Sequence, residues 1–349
     1  MVAGCGMMRE THILLILTGG TIGTCQEEDG KRRLAGADRE PLLIRALKER
    51  EPGMPFRVTI RAPYQVLSEH MTLSHLSKLA ECLRSEDLTK YDGVCITHGS
   101  DTLAYTAAFL GELMRGCPVP VFLLAAQRPI SDPESNGVEN TIAALKLIGR
   151  YKGRIGNSGS EGEVAFSSRV DAFGGNEAPV FIAYRNADGH MYLHRGEELR
   201  QCEPGTDDFF SRGMQRIDSC EWPGSGEKAD LEDTDKEEGG IPGDWRVPEL
   251  TLRPDVLLIH PYVGIRYDCI SLTGIRAVLH TLYHSSTAPQ ELTGFLDRCG
   301  REGVKCYILP CDPGNYHYET TAELLEHGAI PVMGMSEESA FFKALFGRL

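Results

Sequence analysis

Ile13-Leu14-Leu15-Ile16-Leu17-Thr18-Gly19-Gly20-Thr21-Ile22-Gly23 is the stretch whose reading decides the fold class. Five consecutive apolar residues have the length of a strand, and a strand apolar at every position is one covered on both faces. Such strands belong to parallel sheets with helices on either side, and the glycines after it read as a tight loop at the carboxyl end. Ligands of open α/β sheets bind outside those carboxyl ends. Thr21 stands in the loop as a hydroxyl, beside backbone that can come close to a ligand. A strand and a glycine turn without chemistry fit the stretch equally well.

Gly93-Val94-Cys95-Ile96-Thr97-His98-Gly99-Ser100-Asp101-Thr102 repeats the pattern: apolar strand, glycine, hydroxyl and carboxylate. A helical run, Leu103 to Met114, comes next. Two strand ends that each carry a hydroxyl suit a site assembled across one sheet edge. The pair resembles the two signature motifs of the bacterial-type L-asparaginase family, T-G-G-T-I and H-G-T-D-T, with Ser100 in place of the second motif's first threonine. The motifs stand in the family's order, about 80 residues apart, and the resemblance extends from about Ile13 to Phe346.

Composition narrows the function classes. With 349 residues the chain is long enough for two domains, and 41% hydrophobic and 25% charged residues are ordinary for a soluble globular enzyme. A formal net charge of −14 argues against general nucleic-acid affinity, which rests on basic patches. The 11 cysteines form no C-x-x-C pair and fit a reducing cytosol better than a disulfide framework. Met1 to His12 lacks a basic leader, and the apolar run after it is too short to span a membrane. The expectation is a cytoplasmic protein without signal peptide or transmembrane segment.

Along the chain, Thr24 to Asp38 reads as a polar loop. Helices are expected at Pro41 to Arg50, Leu73 to Arg84 and Gly137 to Gly149, and strands at Phe56 to Ala62, Val119 to Ala126 and from Val164. Val180 to His194 reads as a hairpin turning at Asn186-Ala187-Asp188-Gly189. Residues 221–240 carry eight acidic residues and two lysines, the composition of a solvated linker. Beyond it, strands are expected at Val256 to His260, Ala277 to Leu282 and Cys306 to Leu309. Helices are expected near Pro289–Glu302, Thr320–His327 and Glu337–Phe346. The layout is α/β: an N-terminal parallel-sheet domain, 1–219, an acidic linker, 220–247, and a smaller C-terminal α/β domain, 248–349. The resemblance implies the same two-domain arrangement.

Hydrolysis of an amide needs a nucleophile, a proton shuttle and donors for the developing oxyanion. Thr21 is a hydroxyl among glycines whose N–H groups can donate, and the resemblance implies that Thr21 is the nucleophile. It also implies that Ser100 assists proton transfer and that Asp101 holds a substrate α-amino group. Asp101 is also placed to cap the helix that starts near Leu103. Ser68 and Glu69 fall on the family segment that binds the ends of the substrate, with Glu69 a departure from its usual Ser-Gln or Ser-Ser. Alternatively, the two residues simply open the helix at Leu73. Gly20 completes the expected substrate-binding set.

Two family features are not evident. No lysine follows the segment around Val164-Ala165-Phe166, where Ser167-Ser168-Arg169-Val170 runs into Asp171-Ala172-Phe173. An arginine, with a pKa above about 12, cannot replace it as a base. Lys146 and Lys152 are substitutes in name, better read as surface residues. No tyrosine occurs between Gly23 and Pro63. His280-Thr281-Leu282-Tyr283-His284 has an H-x-x-x-H spacing, but on a strand its histidines stand about 13 Å apart, which disfavours a metal. The matching family turn, His284-Ser285-Ser286-Thr287 here, borders a neighbouring subunit's site. His98 reads as a packed histidine.

The resulting expectation is an L-asparaginase-like amidohydrolase that converts L-asparagine, or a close amide, to the acid and ammonia. It needs no cofactor and no metal, has no nucleic-acid or membrane partner, and assembles as a homodimer or homotetramer. Two alternatives stay open: an amino-acid-binding sensor that has lost turnover, and an asparaginase-like subunit of a tRNA-dependent amidotransferase.

Overall fold

The computed structural model describes residues 10–20, 22, 24–26, 32–34, 41–156, 178–218, 245–311 and 318–349. They fall into two compact units, Met1–Leu250 and Thr251–Leu349.

The large unit is built on a seven-stranded sheet. Its strands are β1 (Thr11–Leu17), β4 (Phe56–Arg61), β5 (Gly93–Thr97), β6 (Val121–Leu124), β7 (Val180–Arg185), β8 (Met191–Arg195) and β11 (Gln215–Arg216). The order is β11-β8-β7-β6-β5-β1-β4. β4, β1, β5, β6 and β7 run parallel, and beyond β7 the sheet continues with antiparallel pairings, β7 with β8 and β8 with the edge strand β11. Outside it lie two small antiparallel pairs, β2 (Thr24–Gln26) with β3 (Arg32–Leu34), and β9 (Leu199–Arg200) with β10 (Phe210–Ser211). The first of these occupies the stretch expected to be a loop.

The all-apolar β1 is covered on both faces. Ile13 and Leu15 pack with Leu43, Ile44 and Leu47 of α1 (Leu42–Arg50) and with Leu145 and Ile148 of α4 (Gly137–Gly156). Leu14 and Ile16, which alternate to the other side, are also fully buried. α2 (Leu73–Arg84) buries Leu76, Leu79, Ala80 and Leu83, the stripe of an amphipathic helix. α3 (Leu103–Leu113) is buried almost all round. Parallel strands with helical crossovers put the loops after β1, β4 and β5 on one edge of the sheet.

The small unit has four parallel strands in the order β12 (Val256–Ile259), β13 (Ala277–Thr281), β14 (Lys305–Leu309) and β15 (Ile330–Pro331). Its helices are α5 (Leu292–Glu302), α6 (Glu319–Glu326) and α7 (Glu337–Leu345). α5 opens at Leu292, three residues beyond the expected Pro289, with Glu291 at its N-cap. α4 continues to Gly156, seven residues past the expected end. The strand expected from Val164 and most of the acidic linker lie outside the described residues. At the linker's far end, Trp245 donates its indole N–H to Arg115 O at 2.8 Å and Val247 is buried. Among the described residues no helix is long and apolar enough to cross a membrane.

Candidate functional site

The site is built from three loops at the carboxyl edge of β1, β4 and β5. Thr18, just past β1, donates its N–H to Thr97 Oγ1 at 3.1 Å and its hydroxyl to Thr97 O. On the other side Val66 N–H donates to Thr18 O at 3.0 Å and Gly20 N–H to Val66 O at 3.3 Å. Gly19 and Gly20 have φ of 111° and 79°, the left-handed region that glycine enters without strain. A Cβ on Gly20 would stand 2.2 Å from Gly99 N, and one on Gly99 would stand 2.4 Å from Ser68 Oγ. The absent side chains are what let the three loops close on one another.

Two facing 3₁₀ turns, Ser68–His70 and Ser100–Thr102, carry the polar groups. Ser68 Oγ donates to Asp101 Oδ2 at 2.9 Å, and Thr102 Oγ1 donates back to Ser68 O at 3.0 Å. This reciprocal clasp joins residues more than thirty positions apart. Ser68 is buried, Ser100 half-buried, and Glu69 and Asp101 are exposed. A buried serine thus holds one carboxylate oxygen of a residue that is otherwise exposed.

The alternative readings of these residues are corrected by the geometry. Asp101 does not cap α3; the N-cap is Thr102, without a side-chain cap bond, because the Asp101 carboxylate is turned to Ser68. Ser68 and Glu69 do not open α2. Thr72 does so, in a capping box with His75, whose Nδ1 accepts from Thr72 N–H at 3.2 Å. Gly20 contributes close approach rather than a free donor, since its N–H is directed at Val66 O.

His98 is fully buried beside the second turn. Its Nδ1 lies 2.7 Å from Gly99 O and its Nε2 2.8 Å from Thr106 Oγ1. A carbonyl only accepts, so Nδ1 carries the proton and Nε2 accepts from Thr106. Burial pushes the imidazole down to about 4, against the opposing pull of the Gly99 bond and nearby Asp101. It is a neutral packing group that props the Gly99 peptide.

One contact has no counterpart in the sequence reading: Gln201, just after β9, donates its side-chain amide to Ser100 O at 3.0 Å. A partner 101 residues away leaves no local signal. Lys146 pairs with Glu51 at 3.6 Å, on α4. Thr21, the side chain of Lys152, and Arg169 lie outside the described residues. His280 is buried on β13 with Nε2 2.8 Å from Tyr267 Oη, so its ring belongs to the core. In the turn after β13, Ser286 Oγ donates to Pro310 O at 3.0 Å. Among the described residues no three or more His, Cys, Asp or Glu gather as a metal shell.

Comparison with known proteins agrees with this architecture. Residues 12–200 match the family model described as Asparaginase, N-terminal. A glutamyl-tRNA(Gln) amidotransferase subunit of Pyrococcus abyssi is 26% identical over 351 residues, spanning 96% of this chain and 71% of its own length. An L-asparaginase of Thermococcus kodakarensis is 34% identical over 135 residues, 38% of this chain and 39% of its own. Among solved structures, the thermostable L-asparaginase from Thermococcus kodakarensis superposes with a TM-score of 0.69 at 20% identity, covering 96% of this chain and 92% of its own. L-asparaginase I from Vibrio cholerae gives 0.65 at 24% identity, covering 97% and 92%. These two likenesses speak for the fold.

Proposed function

The chain belongs to the asparaginase family, and from that premise we propose that it is an amidohydrolase releasing ammonia from L-asparagine or a close amide. The observation that carries the reading is the clasp of Ser68 Oγ on Asp101 Oδ2 beside the Gly20–Gly99 contact, which joins the turns of both motif stretches. In this reading Thr21 attacks the amide carbon, and its proton passes through the Ser100 hydroxyl to the departing ammonia as the C–N bond breaks. A water then hydrolyses the Thr21 ester, releasing the acid and restoring the hydroxyl. Asp101 takes the substrate ammonium, with Ser68 fixing the carboxylate and Glu69 adding a second negative charge beside it. Gln201 holds the Ser100 backbone in place. The neutral His98 has no part in proton transfer at neutral pH, and no cofactor or metal enters. The protein acts as a homodimer or homotetramer in the cytoplasm.

A second reading has its own support. The similarity to the glutamyl-tRNA(Gln) amidotransferase subunit runs over nearly the whole chain, whereas that to the curated L-asparaginase is confined to part of it. In that reading the same turns release ammonia for a partner protein rather than into solution. The test is ammonia release from L-asparagine and L-glutamine by the purified chain. Turnover of either amide by the chain alone supports the hydrolase. Turnover that appears only with an added amidotransferase partner and its tRNA supports the second reading. Binding of asparagine without ammonia under either condition would leave an amino-acid sensor.

A further inference from the structure

The small unit carries a cavity of about 430 Å³ that plays no part in the site above. It lies between the 3₁₀ turn Tyr267–Cys269 and one face of α5. Glu291, Gly294, Phe295, Arg298 and Arg301 recur at helical spacing, so one stripe of the helix forms the wall. Ile265 and Phe295 supply an apolar floor.

The charges there are unequal. Arg266 and Asp268 pair with each other, Nε to Oδ1 at 3.1 Å. Arg298 is fixed by its Nη2, which donates to Tyr267 O at 3.0 Å and Ile270 O at 2.7 Å, and by the Phe295 ring, 5.0 Å from its guanidinium carbon. Carbonyls and a ring orient the guanidinium without neutralising it. No carboxylate pairs with Arg298 among the described residues, and its buried Nε has no hydrogen-bond partner. Arg301, on the same stripe, is exposed and likewise without an ion pair among the described residues. A preorganised, uncompensated arginine with a second one beside it suits a carboxylate. In a chain with a formal charge of −14 such a surplus is local and specific.

Gly294 points the same way. Helix interiors disfavour glycine, yet a Cβ there would meet nothing within 4 Å, so packing does not require it. It keeps the middle of the groove open. We propose that this groove, lined by Arg298, Arg301, Glu291 and Phe295 and opened by Gly294, binds a small organic monocarboxylate. The carboxylate sits on the two guanidinium groups and the apolar body on half-buried Ile265, since Phe295 is core-buried beneath the Arg298 guanidinium. Three arginines against two acids favour a monoanion, and Glu291 disfavours a dianion such as phosphate.

The test is calorimetric and ligand-observed NMR titration of the full chain with benzoate, its neutral isostere benzamide, and inorganic phosphate. Benzoate binds at one site, with benzamide and phosphate weaker by about tenfold, the scale of a charge-assisted hydrogen bond. Arg301→Gln weakens benzoate by about tenfold, Glu291→Gln strengthens it, and Gly294→Leu, which fills the groove, removes it. Thermal melts check that each variant folds; should Gly294→Leu fail, Arg301→Gln on an exposed side chain carries the test. Equal binding of benzoate and benzamide, tighter binding of phosphate, no benzoate binding, or benzoate affinity unmoved by Arg301→Gln would each overturn the proposal.

Discussion

In the large unit, β5 runs out into His98 and then Gly99; in the small unit, β13 carries His280 and runs into Thr281 and Leu282. Both histidines are buried in parallel sheets, and burial pushes both down to about 4. His98 is bonded to Gly99 O and Thr106, and His280 to Tyr267. The difference lies in the residues just beyond each histidine. Gly99 has no side chain, so Ser68 and Gly20 come into contact around it and two polar turns meet. Thr281 and Leu282 are buried side chains, and the Thr281 hydroxyl is directed at Ile259 O and His260. A parallel sheet and a buried histidine do not make the candidate site; missing side chains at one edge do.

The comparison breaks most visibly at Gly20. Gly20→Ala forces a side chain into left-handed backbone and to 2.2 Å from Gly99 N. The expected loss is about 4 kcal/mol or more, read by denaturant unfolding. Gly294→Ala in the small unit has space and is expected to gain about 0.5–1 kcal/mol. Next is Asp101→Asn, which keeps the Ser68 bond and removes the charge. It is expected to lower kcat/KM for asparagine by about a hundredfold with the melting temperature little changed.

Acid separates the two units further. His98 and His194 in the large unit and His280 in the small one are neutral when folded, each pushed from 6.5 to about 4 by burial. As pH falls through 6.5 the unfolded chain takes up these protons first. Their contribution is complete above that value, shrinks as pH falls toward about 4, and then levels. Between pH 7.5 and 5 each imidazole costs about 2 kcal/mol, so the unit with two loses more. Hydrogen exchange at the two pH values, followed unit by unit, measures this; equal losses would contradict it. The smallest effect is at Lys146, whose pair with Glu51 is partly exposed at 3.6 Å. Lys146→Met is expected to change stability by less than about 0.5 kcal/mol and turnover by less than about twofold.

Much of this is legible in the chain. Ile13 to Leu17 and Val94 to Thr97 announce buried parallel strands because nearly every position is apolar. The 180–194 hairpin is announced by Asp188-Gly189 between β-rich runs. The two-residue strands β9, β10, β11 and β15 carry no periodicity, and Pro331 in β15 speaks against a strand except at an edge, where it lies. Ser68, Ser100 and Asp101 stand out through a family resemblance rather than through local chemistry. The bond between Ser68 and Asp101, and Gln201's bond to Ser100, arise from sheet order and leave no trace in local sequence. Conversely, Asp101 reads as a helix cap because its position fits one, and a tertiary partner takes the carboxylate instead.

The nucleophile is tested by comparing wild type, Thr21→Ala and Thr21→Ser for ammonia release from L-asparagine and for asparagine binding by calorimetry. Wild type is expected to release ammonia, Thr21→Ser to release it in part, and Thr21→Ala to lose at least about a thousandfold with binding retained. Undiminished release by Thr21→Ala would contradict that role, because the glycine loop would then present no nucleophile.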